Sequence, residues 1–202
     1  MENRFYEEVP GIFRLKVPFD TVYTSVFLIK ADGEIFLVDC ATTKEDVEEY
    51  IVPAIRELGY QPSELKAIIL THRHGDHAGG LDHILRFAPQ AEVIKKVCQV
   101  TESISTYPLS GHTLDSIGIF DKRSSTLISG DGMQGAGVDK YRCSLQDKTA
   151  YLETLQRISD DEMIENILFS HAYEPWNRDT AFGRAEVIAR VKDCLEYVAE
   201  TF

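Results

Sequence analysis

Residues 4–17 alternate loosely between apolar and polar positions around Pro10-Gly11, which predicts a pair of strands. Two apolar, β-branched runs, 21–30 and 34–39, flank Ala31-Asp32-Gly33 and predict a hairpin whose second strand ends at Asp39. Thr43 with Asp46 three positions on is a helix start, and Val47, Ile51, Ile55 and Leu58 keep a helical spacing until Gly59. Ala67–Leu70 reads as a short buried strand that runs into the polar stretch Thr71–Gly80. A short amphipathic helix over Leu81–Phe87 follows, ended before Pro89, with His83 as an exposed helical residue. Then come a strand over 91–98, a polar loop over 101–110, and strands at Ile117–Phe120 and Thr126–Ser129 joined by a turn at 121–125. A Gly-rich loop runs from Gly130 to about Ser144. A helix over 147–158 carries Tyr151, Leu152, Leu155 and Ile158 on one stripe, Ile164–Phe169 is a buried strand ending at Ser170-His171, and 180–199 is a long amphipathic helix. Strands come early and mixed strand and helix follow twice over, which predicts two packed sheets with helices on their outer faces. No repeat, low-complexity run or linker interrupts the chain, so residues 1–202 are expected to form a single domain.

The hydrophobic share of 44% and charged share of 27% are those of an ordinary globular protein. A net charge of −12 argues against a phosphate-tracking surface, and nucleic acid is not expected as a partner. It leaves room for an anionic substrate attracted by bound metal, which the formal count omits. The start, Met1 to Glu8, lacks the basic and apolar segments of a secretory signal, and no stretch has the length of a membrane span. The expected location is the cytoplasm, away from membranes. Cys40, Cys98, Cys143 and Cys194 are scattered and read as free, mostly buried thiols.

Thr71–Gly80 changes this picture from a fold to a chemistry. Its sequence is Thr-His-Arg-His-Gly-Asp-His-Ala-Gly-Gly, and it holds three of the six histidines together with Asp76. Neutral imidazole and carboxylate are ligands of borderline divalent metals. His72 and His74 are two apart and can leave an extended backbone on one side. Gly75 lets the chain turn, so that Asp76 and His77 can point elsewhere, and Gly79 and Gly80 add backbone freedom. One loop could thus serve two adjacent ions. His112 in Ser-Gly-His-Thr, Asp131 in Ser-Gly-Asp-Gly and His171 in Phe-Ser-His-Ala occupy comparable places at strand ends or in Gly-bounded loops.

With these motifs in order, His72-Arg73-His74-Gly75-Asp76-His77, Gly111-His112-Thr113, Gly130-Asp131 and the late His171, the chain resembles the metallo-β-lactamase-fold hydrolase superfamily. The resemblance implies an α+β fold, a four-layer αββα sandwich of two mixed β-sheets flanked by helices. It implies two divalent metal ions, zinc foremost, with iron or manganese also compatible with the ligands. One ion would take His72, His74 and His112, the other Asp76, His77 and His171, and Asp131 would bridge them. An aspartate at 131, where the best-known antibiotic-degrading subclass has cysteine, is similar to the glyoxalase II and lactonase type of site. Asp39 matches a family aspartate and is either a partner of the ligands or simply a turn-forming residue. The path from His77 to His112 is short for the family, so the loop around 99–111 is expected to be trimmed. Leu114-Asp115 replaces the usual Pro-Gly, and Cys40 follows Asp39 where a small residue is common. The C-terminal helical domain with which glyoxalase II grips glutathione is not expected within these 202 residues.

The implied activity is hydrolysis of a small-molecule ester, thioester or lactone by a hydroxide held between two metals, with Asp76 orienting it and shuttling a proton. Tyr141 is a candidate substrate contact, since it follows the Gly-rich loop after Asp131. Gln134, Tyr107 and Trp176 are weaker pocket candidates. The alternatives are an iron-dependent oxygenase or oxidoreductase, a nuclease or phosphodiesterase, or a regulatory protein with a retained metal site. A full ligand set speaks against a mononuclear iron enzyme, and the charge of −12 against a nuclease. A homodimer is compatible with the sequence.

Overall fold

The computed structural model describes residues 4–202. The reading of the extreme N-terminus rests partly on residues 1–3, which lie outside the described residues. The chain divides into two compact units, one up to Lys95 and one from Lys96 to Phe202.

The first unit is a mixed six-stranded sheet in the order β1-β2-β3-β4-β5-β6, with β1 Tyr6–Val9, β2 Ile12–Phe19, β3 Val22–Ala31, β4 Glu34–Val38, β5 Leu65–Ile69 and β6 Glu92–Ile94. The first four strands run antiparallel as a meander, and β4, β5 and β6 are parallel. Parallel neighbours need helical crossovers. Between β4 and β5 these are α1 Lys44–Asp46, a wider π-helical stretch Val47–Ile51 and α2 Val52–Glu57. Thr43 and Asp46 form the expected capping box. The widening just before Pro53 has a local cause, since a proline has no N–H for the preceding turn and its ring crowds the carbonyl four residues back. Between β5 and β6 lie α3 Gly75–Ala78 and α4 Leu81–Phe87. Leu15, Val26, Leu28, Leu37 and Ile68 of the sheet bury against Val47, Ile51, Ile55 and Ile84 of the helices.

The second unit is a mixed five-stranded sheet in the order β13-β12-β9-β8-β7, with β7 Ile104–Pro108, β8 Ile117–Asp121, β9 Thr126–Gly130, β12 Asn166–Tyr173 and β13 Arg178–Phe182. Only β9 and β12 are parallel. A two-stranded hairpin, β10 Gly137–Val138 and β11 Tyr141–Arg142, lies in the Gly-rich segment. Helices α5 Lys148–Asp160 and α6 Arg184–Thr201 cover the sheet, with Tyr151, Leu155, Val187 and Val191 against Leu127, Ile167 and Phe169.

Several expectations change. The stretch 101–110 is not a loop, because 104–108 is a strand whose outer edge is covered by residues 98–101. The strand at 91–98 is only Glu92–Ile94, and the last helix starts at Arg184 because 178–182 is an edge strand. Both missed strands are polar, as edge strands tolerate. His83 is half-buried on α4 rather than exposed.

Candidate metal centre

In the first unit the donors stand at the carboxyl ends of parallel strands. Asp39 follows β4, and Thr71-His72 closely follow β5. The histidine stretch is less of a loop than its glycines suggest. Gly75 opens α3, so Asp76 and His77 are helical, and no Cβ at Gly75 would meet an obstacle. Gly79 and Gly80 have helical rather than unusual backbone angles. They are required for close approach, since a Cβ at Gly79 would strike the carbonyl oxygen of Thr42 and one at Gly80 that of Cys40. Cys40 N–H donates to His77 O at 2.7 Å, and Gly80 N–H to Ala41 O at 3.1 Å. This joins the strand end 39–42 to the helix that carries the donors.

Asp39 is fully buried, with φ at 62°. Its Oδ1 accepts from Thr71 N–H at 2.8 Å, and its Oδ2 from the Thr71 hydroxyl at 2.8 Å and from His77 Nδ1 at 2.7 Å. Asp39 is thus a partner of a donor as well as a turn residue. A carboxylate here only accepts, so the proton of His77 sits on Nδ1 and Nε2 presents a lone pair. The Thr71 hydroxyl gives its proton to Asp39 and can only accept from His72 Nδ1, 3.2 Å away, which leaves His72 in the same tautomer. The His72 ring lies 4.7 Å from that of His74 and 4.2 Å from that of His77. Thr24 on β3 donates to Asp76 Oδ2 at 3.2 Å. Beneath these groups, burial and the Asp39 charge push the Cys40 thiol well above its usual range.

The second unit repeats the arrangement at β9 and β12. The register between these strands shifts at Phe169↔Gly130, and Asp131 follows directly. Asp131 Oδ1 accepts from the Tyr173 hydroxyl at 2.7 Å, and Oδ2 from Gln134 Nε2 at 3.3 Å. His112 Nδ1 donates to the Ser144 carbonyl at 2.8 Å, so its Nε2 is the bare nitrogen, 3.7 Å from Asp131 Oδ2. His171 Nε2 is 3.5 Å from Asp131 Oδ1. Gln134 Oε1 also accepts from Ser144 N–H at 3.1 Å.

These groups fit a cation. Locked Nδ1–H tautomers turn a lone pair of His77 toward Asp76 Oδ2, 3.3 Å away, and of His112 toward Asp131. Lone pair facing carboxylate is repulsive unless positive charge lies between them, and outer hydrogen bonds of this kind are how ligating imidazoles are oriented. The His and Asp groups of the chain could hold a divalent metal.

The remaining candidates are placed as follows. Tyr141 is on β11, 38% exposed, with the Lys140 ammonium 5.5 Å from its ring centre. Gln134 is buried and braces Asp131. The Tyr107 hydroxyl donates to Asp161, and burial with that carboxylate raises its pKa. The Trp176 indole donates to Asp193 and packs on Phe169. Both are structural contacts. Burial, with Cys194 and Asp131 nearby, pushes the Cys143 thiol up to about 12. Sequence reasoning missed Thr24, Thr71, Ser144 and Tyr173. A signal existed for Tyr173, which follows His171 by two on one strand and so shares its face.

The fold places these donors where they could hold a divalent metal. Residues 19–96 match the family model of the metallo-β-lactamase superfamily. It is 26% identical to a β-lactamase-like protein 2 homolog of Caenorhabditis elegans over 71% of this chain and 54% of that one. It is 30% identical to a hydroxyacylglutathione hydrolase of Pseudomonas savastanoi pv. phaseolicola over 61% of this chain and 58% of that one. The chain thus spans a little over half the length of these two relatives. The DIM-1 metallo-β-lactamase crystal structure matches with a TM-score of 0.73 and 19% identity, covering 98% of each chain, which shows the fold. No helix among the described residues is long and apolar enough to cross a membrane.

Proposed function

We propose that the whole chain, residues 1–202, is one dinuclear metal-dependent hydrolase domain acting in the cytoplasm on a small-molecule ester, thioester or lactone. His72, His74 and His112 would hold one metal, Asp76, His77 and His171 the other, and Asp131 both. The observation that carries this reading is the hydrogen bonding of His72, His77 and His112 at Nδ1, which leaves Nε2 of each as the nitrogen with the lone pair. The resemblance of the relatives, one of them named a hydroxyacylglutathione hydrolase, supports the thioester and ester class. Zinc suits these nitrogen and oxygen donors, and iron or manganese would also be accepted.

Bound divalent metals would supply Lewis acidity and bring the pKa of a water to about 7. The protein's own contribution is orientation. Thr24 holds Asp76 through Oδ2, which leaves the carboxylate placed to align a water and to carry its proton away. Asp39 and Thr71 hold the imidazoles as neutral ligands. Tyr141, partly exposed on the hairpin after Asp131, would offer its phenol to the substrate.

Metal analysis of purified protein, joined to a screen of lactones, thioesters, phosphodiesters and β-lactams, tests the reading. The expected result is about two metals per chain and turnover confined to carbonyl substrates. Metal-free wild-type protein that resists loading and hydrolyses no ester or lactone would overturn it.

A further inference from the structure

Asp131 is the donor whose two oxygens are treated differently by the protein. Two side chains of β12 face Oδ1. Tyr173 donates to it at 2.7 Å and His171 Nε2 stands 3.5 Å away, and the two side chains are neighbours on one strand face with rings 5.6 Å apart. Tyr173 is 1% exposed and is wedged against Phe169 and Trp176, so its hydroxyl has little freedom to leave. Oδ2 belongs to a second chain of contacts. Gln134 Nε2 donates to it at 3.3 Å, Gln134 Oε1 accepts from Ser144 N–H, and the Ser144 carbonyl accepts from His112 Nδ1, whose Nε2 is 3.7 Å from the same Oδ2. A third contact, Gln134 N–H to the Tyr151 hydroxyl at 3.2 Å, pins this chain to α5.

We propose that Tyr173 and Gln134 divide Asp131 between the two metal positions. Tyr173, through Oδ1, is the positioning residue that sets affinity where His171 binds. Gln134, through Oδ2, does so where His112 binds. The inference rests on the dinuclear reading above. A hydroxyl-to-carboxylate bond of 2.7 Å is charge-assisted and strong, whereas 3.3 Å is long for an amide donor. The His171 position therefore depends more steeply on its holder than the His112 position does. Removing a holder of a ligating carboxylate weakens metal binding about 10- to 100-fold.

The test is a zinc titration of metal-free full-length protein against a chromophoric chelator. Wild type should take up two equivalents; failure to do so overturns the dinuclear reading itself. Tyr173→Phe should weaken one equivalent by about 10- to 100-fold and leave the other within about threefold. The weakened equivalent should be the one lost in His171→Ala. Gln134→Met should weaken the other equivalent, the one lost in His112→Ala, by up to about tenfold. Equal weakening of both equivalents by Tyr173→Phe, no weakening by it, or weakening of the same equivalent by both variants overturns the proposal. Circular dichroism and unfolding midpoints of the metal-free variants control for folding. If Tyr173→Phe does not fold, Gln134→Met decides alone: loss of the equivalent assigned to His171, or no loss, overturns the division.

Discussion

The two units present the same chemistry by opposite constructions. In the first, four donors sit within the stretch 72–77, and their holder Asp39 is also what closes the end of β4, through Thr71 N–H and the Thr71 hydroxyl. In the second, three donors come from three separate segments, and their holders are a phenol, an amide and a carbonyl that are not needed to close a strand. The first construction couples ligand geometry to folding. The second lets ligand geometry be altered while the sheet stays intact.

Asp131→Ala removes the carboxylate that both halves of the second cluster face. The metal content should fall from about two to at most one per chain, and the hydrolytic rate should fall roughly a thousandfold, a barrier higher by about 4 kcal/mol. Metal analysis with steady-state rates checks this. Retention of two metals and full rate would show that His112 and His171 do not depend on it.

Asp39→Ala is the corresponding cut in the first unit, and here stability should fall with affinity. It leaves Thr71 N–H, the Thr71 hydroxyl and His77 Nδ1 without their acceptor in a fully buried place. Each lost partner costs ~1–3 kcal/mol, so a total of roughly 3 kcal/mol or more is expected in urea unfolding of the metal-free protein. Tyr173→Phe, by contrast, should cost about 2 kcal/mol in the same measurement, since it removes the hydroxyl that donates to the Asp131 carboxylate. Similar losses for the two variants would erase the distinction between the units.

That distinction also explains what could be read from the chain before folding. The donors of the first unit are legible because they are contiguous and follow an apolar run. Those of the second unit are single residues in weak motifs, and only their order made them persuasive. The holders were mostly illegible, since Thr71 and Tyr173 act through contacts with Asp39 and Asp131, which lie 32 and 42 positions away. The helices were placed well by their periodic apolar positions and by the cap at Thr43. The strands β7 and β13 were missed because their alternation is carried by Thr106 and by Arg178-Asp179-Thr180, which burial at a covered or outer edge permits but hydropathy hides. Two glycines of the donor stretch serve close approach, not conformational freedom. Gly79 and Gly80 stand where backbone meets backbone, a fact about residues 40 and 42 that local sequence does not carry.

Gly80→Ala follows from that correction. The new methyl meets the Cys40 carbonyl and the Val47 side chain, and the carbonyl cannot move without disturbing the Cys40 N–H bond to His77. Overpacking of this kind costs ~1–3 kcal/mol. Gly75→Ala, five residues earlier, meets nothing and should change stability by no more than about 0.5 kcal/mol. Thermal unfolding of the two variants side by side checks the contrast. Equal behaviour would mean that conformational freedom, not close approach, is what these positions require.

The shallowest cut leaves the donors alone and probes the floor beneath them. Cys194 lies under the Gln134 segment, with its pKa raised to about 11 by burial, and Cys143 follows the hairpin, raised to about 12 by burial and by the Cys194 and Asp131 charges. The thiolate is the reactive form, and raising a thiol's pKa lowers the fraction ionised at a given pH. At pH 8 both should therefore be almost wholly protonated and slow toward iodoacetamide, and labelling should rise only as pH climbs toward these values. Cys98, half-buried at the edge of β7, is more accessible than these two buried thiols and should be labelled first. Mass spectrometry of native protein after timed alkylation separates the three sites, and denatured protein gives the unprotected rate. Rapid native labelling of Cys143 or Cys194 at pH 8 would show that the segment bracing Asp131 opens readily. The second unit would then hold its donors less firmly than the first, and the independence of its ligand geometry would reflect mobility rather than construction.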